Sequence, residues 1–568
     1  MTKTMLKTRI DITKTPFSKY GSWISITSPS NIGPLKITNV RQIFGNDQAM
    51  MLEFTSNGQH LSHSMEATPA VLTARSYAGE VRVYIKGNDG FVVESTGPDL
   101  VFRALDSKWG KRKPRTLPEI PIIKEQSNDT RKVVDIRFES FAIFDVLQGK
   151  AAEHTDNLTI SPDGEKALVL VRIGKTIPQE TPKVDVDADI EAAEQEWNKF
   201  LAKMPPVPAE YRAEAEAAWH VIWCSFVYAE GNLTHDTMFV NKDYMTAVWS
   251  WDHCFHALGI ARGDFKAAVE QFLAPFYRQD ETGKMPDMWK APDIEFWGIT
   301  KPPVHGWTLL KLMEIQELDR STLEWFYPKL VKWTDYWFNE RDEDGDGVPN
   351  YTEDGCDSGM DNSTVFDVGA KLETPDLSSY LVLQMRALAM VARKLGKEEE
   401  AAAWDARAEK QLSALYEHFW KNDRFVCVTT GTHEYDPEPT AQLPLMPIML
   451  GSELDKDKFD KCVAELESRF LTDYGIASED PKSKKYEADS YWRGPIWAPA
   501  TILIADGLKR GGREDLAKEI ARRYCDMIKY QAGGYYENFD PKYGEGNRAI
   551  GFSWSAAVAL IFMWEYLM

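Results

Sequence analysis

The feature that most constrains this chain is a change in hydrophobic period near residue 175. From Ser18 to about Lys175 the apolar residues come in short runs of period two, as in YGSWISI, EVRVYIKG, GFVVES and ALVLVRIG, and turn-formers such as GNDG and SPDG divide them. A period of two puts alternate side chains on one face of a strand, so this part predicts a β-sandwich. Pro178 to Asp189 is rich in Pro, Asp and Thr and reads as a linker. Beyond it the period lengthens to 3.6 over segments of about 12 to 20 residues, among them Tyr244 to Arg262, Leu377 to Leu395, Glu398 to Phe419 and Gly494 to Leu508. That many helices without interleaved strands fit either an α-solenoid or a closed double-layered toroid, and the lack of a fixed-period repeat disfavours the solenoid. The expectation is a mainly α protein with a sheet domain over 1–177, a linker and connecting helix over 178–200, and a helical domain over 201–568.

Charge narrows the partners. Lys and Arg number 66 against 87 Asp and Glu, and a net charge of −21 repels phosphate backbones and anionic lipids. The expected partner is a neutral small molecule or oligosaccharide, with no nucleic acid and no membrane. The 19 tryptophans are a surplus that sugar stacking would use, as would core filling. Six cysteines without CxxC spacing suggest a reducing compartment, and the opening MTKTMLKTRIDITKTPF has no apolar signal region, so the expected location is the cytoplasm.

Four segments dense in acids, aromatics and glycine carry the chemistry. In AVWSWDHCFHALG, Asp252 reads either as a helix-starting acid or as a ligand for sugar hydroxyls beside Trp249 and Trp251. His253 and His256 lack a third ligand of suitable spacing and read as core or hydrogen-bonding residues. In RDEDGDGVPNYTEDGCDSGMDNST, the positions of Asp342, Asp344, Asp346 and Glu353 have the spacing of a calcium loop, although Pro349 and the missing exit helix also fit a solvated acidic turn. Asp357 and Asp361 follow in a Gly/Ser context that either brings a carboxylic acid into a cleft or caps nearby backbone. In SYWRGPIWAPA, Pro495 suits the first position of a helix flanked by Trp492, Arg493 and Trp497. In GGYYENFDPKYGEGNRAIGFSWSAA, Gly and Pro predict an irregular segment carrying Glu537. Two carboxylates are the minimum for glycoside cleavage, one donating a proton to the leaving oxygen and the other activating water or attacking the anomeric carbon. No Ser-His-Asp set, phosphate loop or zinc signature competes, so residue chemistry reaches a carbohydrate enzyme or a carbohydrate binder.

At these segments the sequence resembles glycoside hydrolase family 63, the family of processing α-glucosidase I, bacterial α-glucosidases and mannosylglycerate hydrolases, and more distantly the trehalases. The resemblance rests on SWDHCFHALG, MPDMW, TKPPVHGW, DSGMDNS, YGIAS, YWRGPIW, ENFDP and GFSWSAA, in that order from about Asp243 onward. It implies an (α/α)6 toroid preceded by a β-sandwich, and an inverting hydrolase of α-linked glucosides. Asp361 matches the general acid and Glu537 the general base. Trp251, Asp252, Trp492, Arg493 and Trp497 match positions lining the sugar subsite. No cofactor is needed for this chemistry, and calcium would be structural. The alternatives are a mannosyl- or glucosylglycerate hydrolase on the same fold, a glycoside phosphorylase, and a catalytically silent sugar binder.

Overall fold

The computed structural model describes residues 8–41, 48–106, 115–136, 139–352 and 355–568, so Glu353 of the calcium-loop reading lies outside the described residues. The chain forms two compact units, one of Met1–Met204, Trp219–Ala247 and Ala549–Ser553, the other of Pro205–Ala218, Val248–Arg548 and Trp554–Met568.

In the first unit the period-two runs pair into two antiparallel sheets. One runs through strands Ile24–Thr27, Leu35–Asn39, Gln48–Ser56, Asp99–Asp106, Leu158–Ser161 and Lys150–Glu153. The other runs through Arg131–Asp135, Phe141–Gln148, Ala167–Gly174, Gly90–Thr96, Gly79–Lys86, Leu72–Ser76 and Ser64–Ala67. Inward-facing residues of both, such as Ile26, Leu52 and Phe102 from one and Val83, Phe144 and Val171 from the other, form one buried core. Phe102 and Phe144 meet edge to face with ring centroids 4.9 Å apart. The alternation thus closes a core between two sheets, as the sequence predicts for a sandwich. The Pro/Asp-rich linker is shorter than expected. Helix Val186–Leu201 begins inside it, because Asp185 caps the Ala188 amide and Val186 packs against Tyr84, Val92 and Leu170 on the outer face of the second sheet.

The second unit is helical, and its helices are of two kinds. Asp252–Ala261, Pro375–Lys394 and Ala498–Arg510 bury nearly every face. Phe265–Leu273, Glu398–Phe419 and Glu514–Tyr530 bury one stripe each. A helix buried all round needs neighbours on every side, whereas a one-striped helix closes an outer surface, so this alternation makes two layers. Successive inner elements touch through glycines that admit a close backbone: a Cβ on Gly306 would lie 2.2 Å from Gln384 Cα, and one on Gly259 would lie 2.4 Å from Ala557 Cβ. The second contact joins the first inner helix to the last, Ser553–Glu565.

Three local expectations differ from the structure. Tyr244 to Arg262 is not one helix, because Val248–Trp249 pairs with Met288–Lys290 and helix begins only at Asp252. Pro495 does not open a helix. Ile496 exchanges backbone hydrogen bonds of 2.7 and 3.1 Å with Phe539, which holds it extended, and Pro499 stands in the first turn of the helix starting at Ala498. The same bridge orders Tyr536–Phe539 as a strand paired with Gly546–Ile550, where an irregular segment was expected.

Candidate active site

The Ile496–Phe539 bridge brings the segment carrying Glu537 against the tryptophan loop. Glu537 is buried, and its backbone carbonyl accepts from Trp554 Nε1 at 3.0 Å. Its carboxylate accepts a hydrogen bond from the Tyr491 hydroxyl. Tyr491 is held in a left-handed conformation, φ +59°, and Trp497 Nε1 donates to its carbonyl at 2.9 Å. Burial, reinforced by the charges of Asp361, Glu537 and Asp252, pushes the Tyr491 hydroxyl far above its ordinary range, so it stays a donor. One phenol therefore senses all three carboxylates.

Asp361 follows a turn that two left-handed glycines make possible, Gly355 at φ +90° and Gly359 at φ +73°. Ring atoms of Trp251 approach Gly359 so closely that a Cβ there would lie 2.8 Å from Cζ2. The two aspartates of this segment take different roles. Asp357 is fully buried, accepts from the Thr352 amide at 2.8 Å and lies 3.7 Å from Arg341, so it is structural. Asp361 sits deep in the unit yet keeps 29% of its side chain open to solvent. Burial raises its pKa and Asp287 adds to this, while the Lys301 ammonium, 3.6 Å from Oδ1, pulls the other way.

Lys301 is the centre of the local electrostatics. Its Nζ donates to the Cys356 carbonyl at 2.7 Å and lies 3.4 Å from Asp287. Burial alone would lower its pKa, but Asp361 and Asp287 outweigh that and keep it charged. Asp252, buried at the first turn of its helix, is pushed well above the usual carboxylate range by burial, against the pull of Lys301 and with the help of Asp287 and Glu537. Asp252 and Asp361 are thus both raised toward their protonated forms, although the Lys301 ammonium lowers each. Such a site can donate a proton and also hold a base. Electrostatics raises the pKa of Asp252 and Asp361 alike.

The aromatic wall is continuous. Trp251 lies 5.6 Å from Trp554 and 6.5 Å from Trp492, centroid to centroid, and Trp492 stacks on Trp497 at 4.2 Å and 5°. Trp492 and Trp497 are each 1% exposed, so neither presents an open ring face to a ligand. Arg493 ties the loops, its Nε donating to the Asn362 carbonyl at 2.9 Å and its Nη2 to Asp367 at 2.6 Å. The Asn362 side chain in turn bonds Ser490 and Trp492 backbone. Sequence reasoning assigned no role to Lys301, Asp287, Tyr491 or Trp554, although TKPPVHGW, MPDMW, YWRGPIW and GFSWSAA contain or adjoin them. His253 is a hydrogen-bonding residue, its Nδ1 2.9 Å from the Gln271 carbonyl. Asp342, Asp344 and Asp346 form a separate cluster. Among the described residues no helix is long and apolar enough to cross a membrane.

The family model of the mannosylglycerate hydrolase MGH1-like glycoside hydrolase domain matches residues 245–555. The chain is similar to mannosylglycerate hydrolase MGH1 of Selaginella moellendorffii, 25% identical over 56% of this chain and 80% of that protein. It is 26% identical to the mannosylglycerate hydrolase of Rubrobacter radiotolerans over 55% of this chain and 89% of the relative. In structure it is similar to a bacterial glucoamylase complexed with acarbose, with a TM-score of 0.66 and 10% identity over 98% of this chain and 94% of the other. It is also similar to the family 63 mannosylglycerate hydrolase of Thermus thermophilus in complex with glucose, with a TM-score of 0.54 and 21% identity over 61% and 99% of the two chains.

Proposed function

Because this chain belongs to the mannosylglycerate hydrolase MGH1-like glycoside hydrolase family, and so to glycoside hydrolase family 63, we propose that it hydrolyses a small α-linked glycoside with inversion. Asp361 gives its proton to the leaving oxygen as the glycosidic bond breaks. Glu537 takes a proton from the water that attacks the opposite face of the anomeric carbon. Tyr491 orients Glu537, while Asp252 and Trp251 hold the sugar. We read the two helical layers, joined from first inner helix to last by Gly259 and Ala557, as the (α/α)6 toroid the motifs imply. The observation that carries the reading is Tyr491, which bonds Glu537 and lies within electrostatic reach of Asp361 and Asp252.

Mannosylglycerate is the first candidate substrate, since relatives at 25% and 26% identity carry that name. Arg548 supports it: its guanidinium lies 5.2 Å over the Tyr491 ring and its buried Nε has no hydrogen-bond partner, while its Nη2 is paired with Asp489 at 3.1 Å. A glycerate carboxylate is an anion such a group takes. A short neutral α-glucoside is the second reading, favoured by the prior pairing of Arg493 with Asp367 and of Lys301 with Asp361 and Asp287. The test is incubation with mannosylglycerate, glucosylglycerate, trehalose and a set of α-glucobioses, followed by anomer-resolved NMR. The expected first product is the β-anomer. Initial appearance of the α-anomer, or cleavage of none of these, overturns the reading.

A further inference from the structure

A second constellation in the helical unit has no part in the proposed reaction. Three stretches far apart in sequence, carrying Asp346, His418 and His433, converge on Glu373. Glu373 ends the short strand Leu372–Glu373, which pairs with Asn350–Tyr351 on one side and Val428–Thr429 on the other, and its side chain is 0% exposed. His418, in the last turn of helix Glu398–Phe419, hydrogen-bonds Glu373 Oε2 through Nε2. His433, in a tight turn at φ +54°, places Nε2 3.8 Å from the same oxygen and 3.6 Å from Asp346 Oδ2. Asp346 Oδ2 lies 3.7 Å from His418 Nδ1. One ligand atom from each of Asp346, Glu373, His418 and His433 falls within 4.8 Å of the other three.

Two physical observations show that this group is incomplete. The second oxygen of Glu373, Oε1, is buried without any hydrogen-bond donor, a costly state for a carboxylate. In addition, Asp342, Asp344, Asp346 and Glu373 set four carboxylates against two imidazoles, and the neighbouring Lys371 is already paired with Glu343. A divalent cation would supply both the missing partner and the missing charge. The outer groups are already ordered: Asp344 Oδ2 accepts from the Gly431 amide at 2.9 Å and lies 3.2 Å from His433 Nε2, a contact the ion would replace, and Asp346 Oδ1 accepts from the Val348 amide at 2.8 Å.

We propose that Asp346, Glu373, His418 and His433 bind one divalent cation of the zinc class. Two imidazoles and two carboxylates make the four-donor set of such an ion, whereas calcium takes six to eight oxygens. This differs from the calcium-loop spacing, which uses Asp342, Asp344, Asp346 and Glu353. The ion would clamp the end of one helix and the 431–433 turn to the loop that leads toward Asp361.

The test uses the full chain, freed of any affinity tag, stripped with chelator and titrated with Co2+, Zn2+ or Ca2+ alone. The expected result is one Zn2+ per chain by calorimetry, a tetrahedral cobalt absorption band, and a rise in melting temperature with zinc that calcium does not match. Glu373→Gln is the direct variant, but its buried site puts its folding at risk. His433→Asn changes a half-exposed ligand to a residue that tolerates positive φ, and should fold and weaken zinc at least about 10-fold. No stoichiometric binding, or calcium bound as tightly as zinc with His433→Asn without effect, would overturn the proposal.

Discussion

Gly359→Ala tests the contact that joins the Asp361 loop to Trp251. At φ +73° an alanine carries the left-handed penalty of about 1–2 kcal/mol. Its Cβ would also stand 2.8 and 2.9 Å from Cζ2 and Cη2 of Trp251. That ring cannot turn aside freely, with Trp554 at 5.6 Å, Phe255 at 5.9 Å and Trp492 at 6.5 Å around it. Overpacking of this kind costs about 1–3 kcal/mol, so the total is roughly 2–5 kcal/mol. Scanning calorimetry should show the transition lowered by several degrees. On the cleaved glycoside kcat/KM should fall on the order of 10- to 100-fold, because Trp251 and Asp361 shift relative to each other. The two contributions separate in a cycle with Trp251→Phe, which removes Cζ2 and Cη2. The double variant should recover the overpacking part and keep the backbone part. If Gly359→Ala melts like the parent, or if the cycle shows no coupling, the close approach of Trp251 is not what requires a glycine here.

The remaining predictions concern charge. Asp361→Asn and Glu537→Gln should fold normally and lose about 100-fold or more in kcat. A glycosyl fluoride, whose leaving group needs no proton, should recover activity in Asp361→Asn but not in Glu537→Gln; recovery in Asp252→Asn instead would make Asp252 the acid. Lys301→Met removes the cation that holds the Asp361 pKa down, so the basic limb of the kcat–pH profile, which follows deprotonation of the acid, should move to higher pH. A basic limb that stays in place would exclude Lys301 from tuning Asp361. Burial alone would raise the pKa of Asp506, but Arg510 and Lys311 overcome it and hold it below the ordinary value. Its folded pKa is therefore depressed, and its contribution to stability is present above the unfolded pKa and lost as pH falls through the folded one. Asp506→Asn should destabilise at neutral pH by about 3–5 kcal/mol, with the gap to the parent narrowing below about pH 4 in melts taken across pH.

Much of the fold is legible in the sequence because periodicity is a local property. Glu398–Phe419 follows its 3.6 period to both ends, and the alternation in EVRVYIKG and ALVLVRIG marks strands whose alternate residues reach one core. Asp361, Glu537, Trp251 and Asp252 are legible for a different reason, since a loop of acids, glycines and aromatics stands out from the helices around it. Long-range pairing is where the sequence falls silent. Ile496 and Phe539 are 43 positions apart, yet their bridge delays a helix past Pro495 and turns an irregular-looking segment into the strand that carries Glu537. Lys301 has no local signal, because a lysine before two prolines becomes an ion-pair partner only when Asp361 and Asp287 fold around it. The same holds for Glu373, His418 and His433, which have no ligand spacing along the chain and meet only through a three-stranded sheet, a helix end and a turn. Hydrophobic period and turn chemistry act over a few residues and can be read one window at a time. Coulomb interaction and desolvation depend on distance in space, and tertiary packing alone sets that distance.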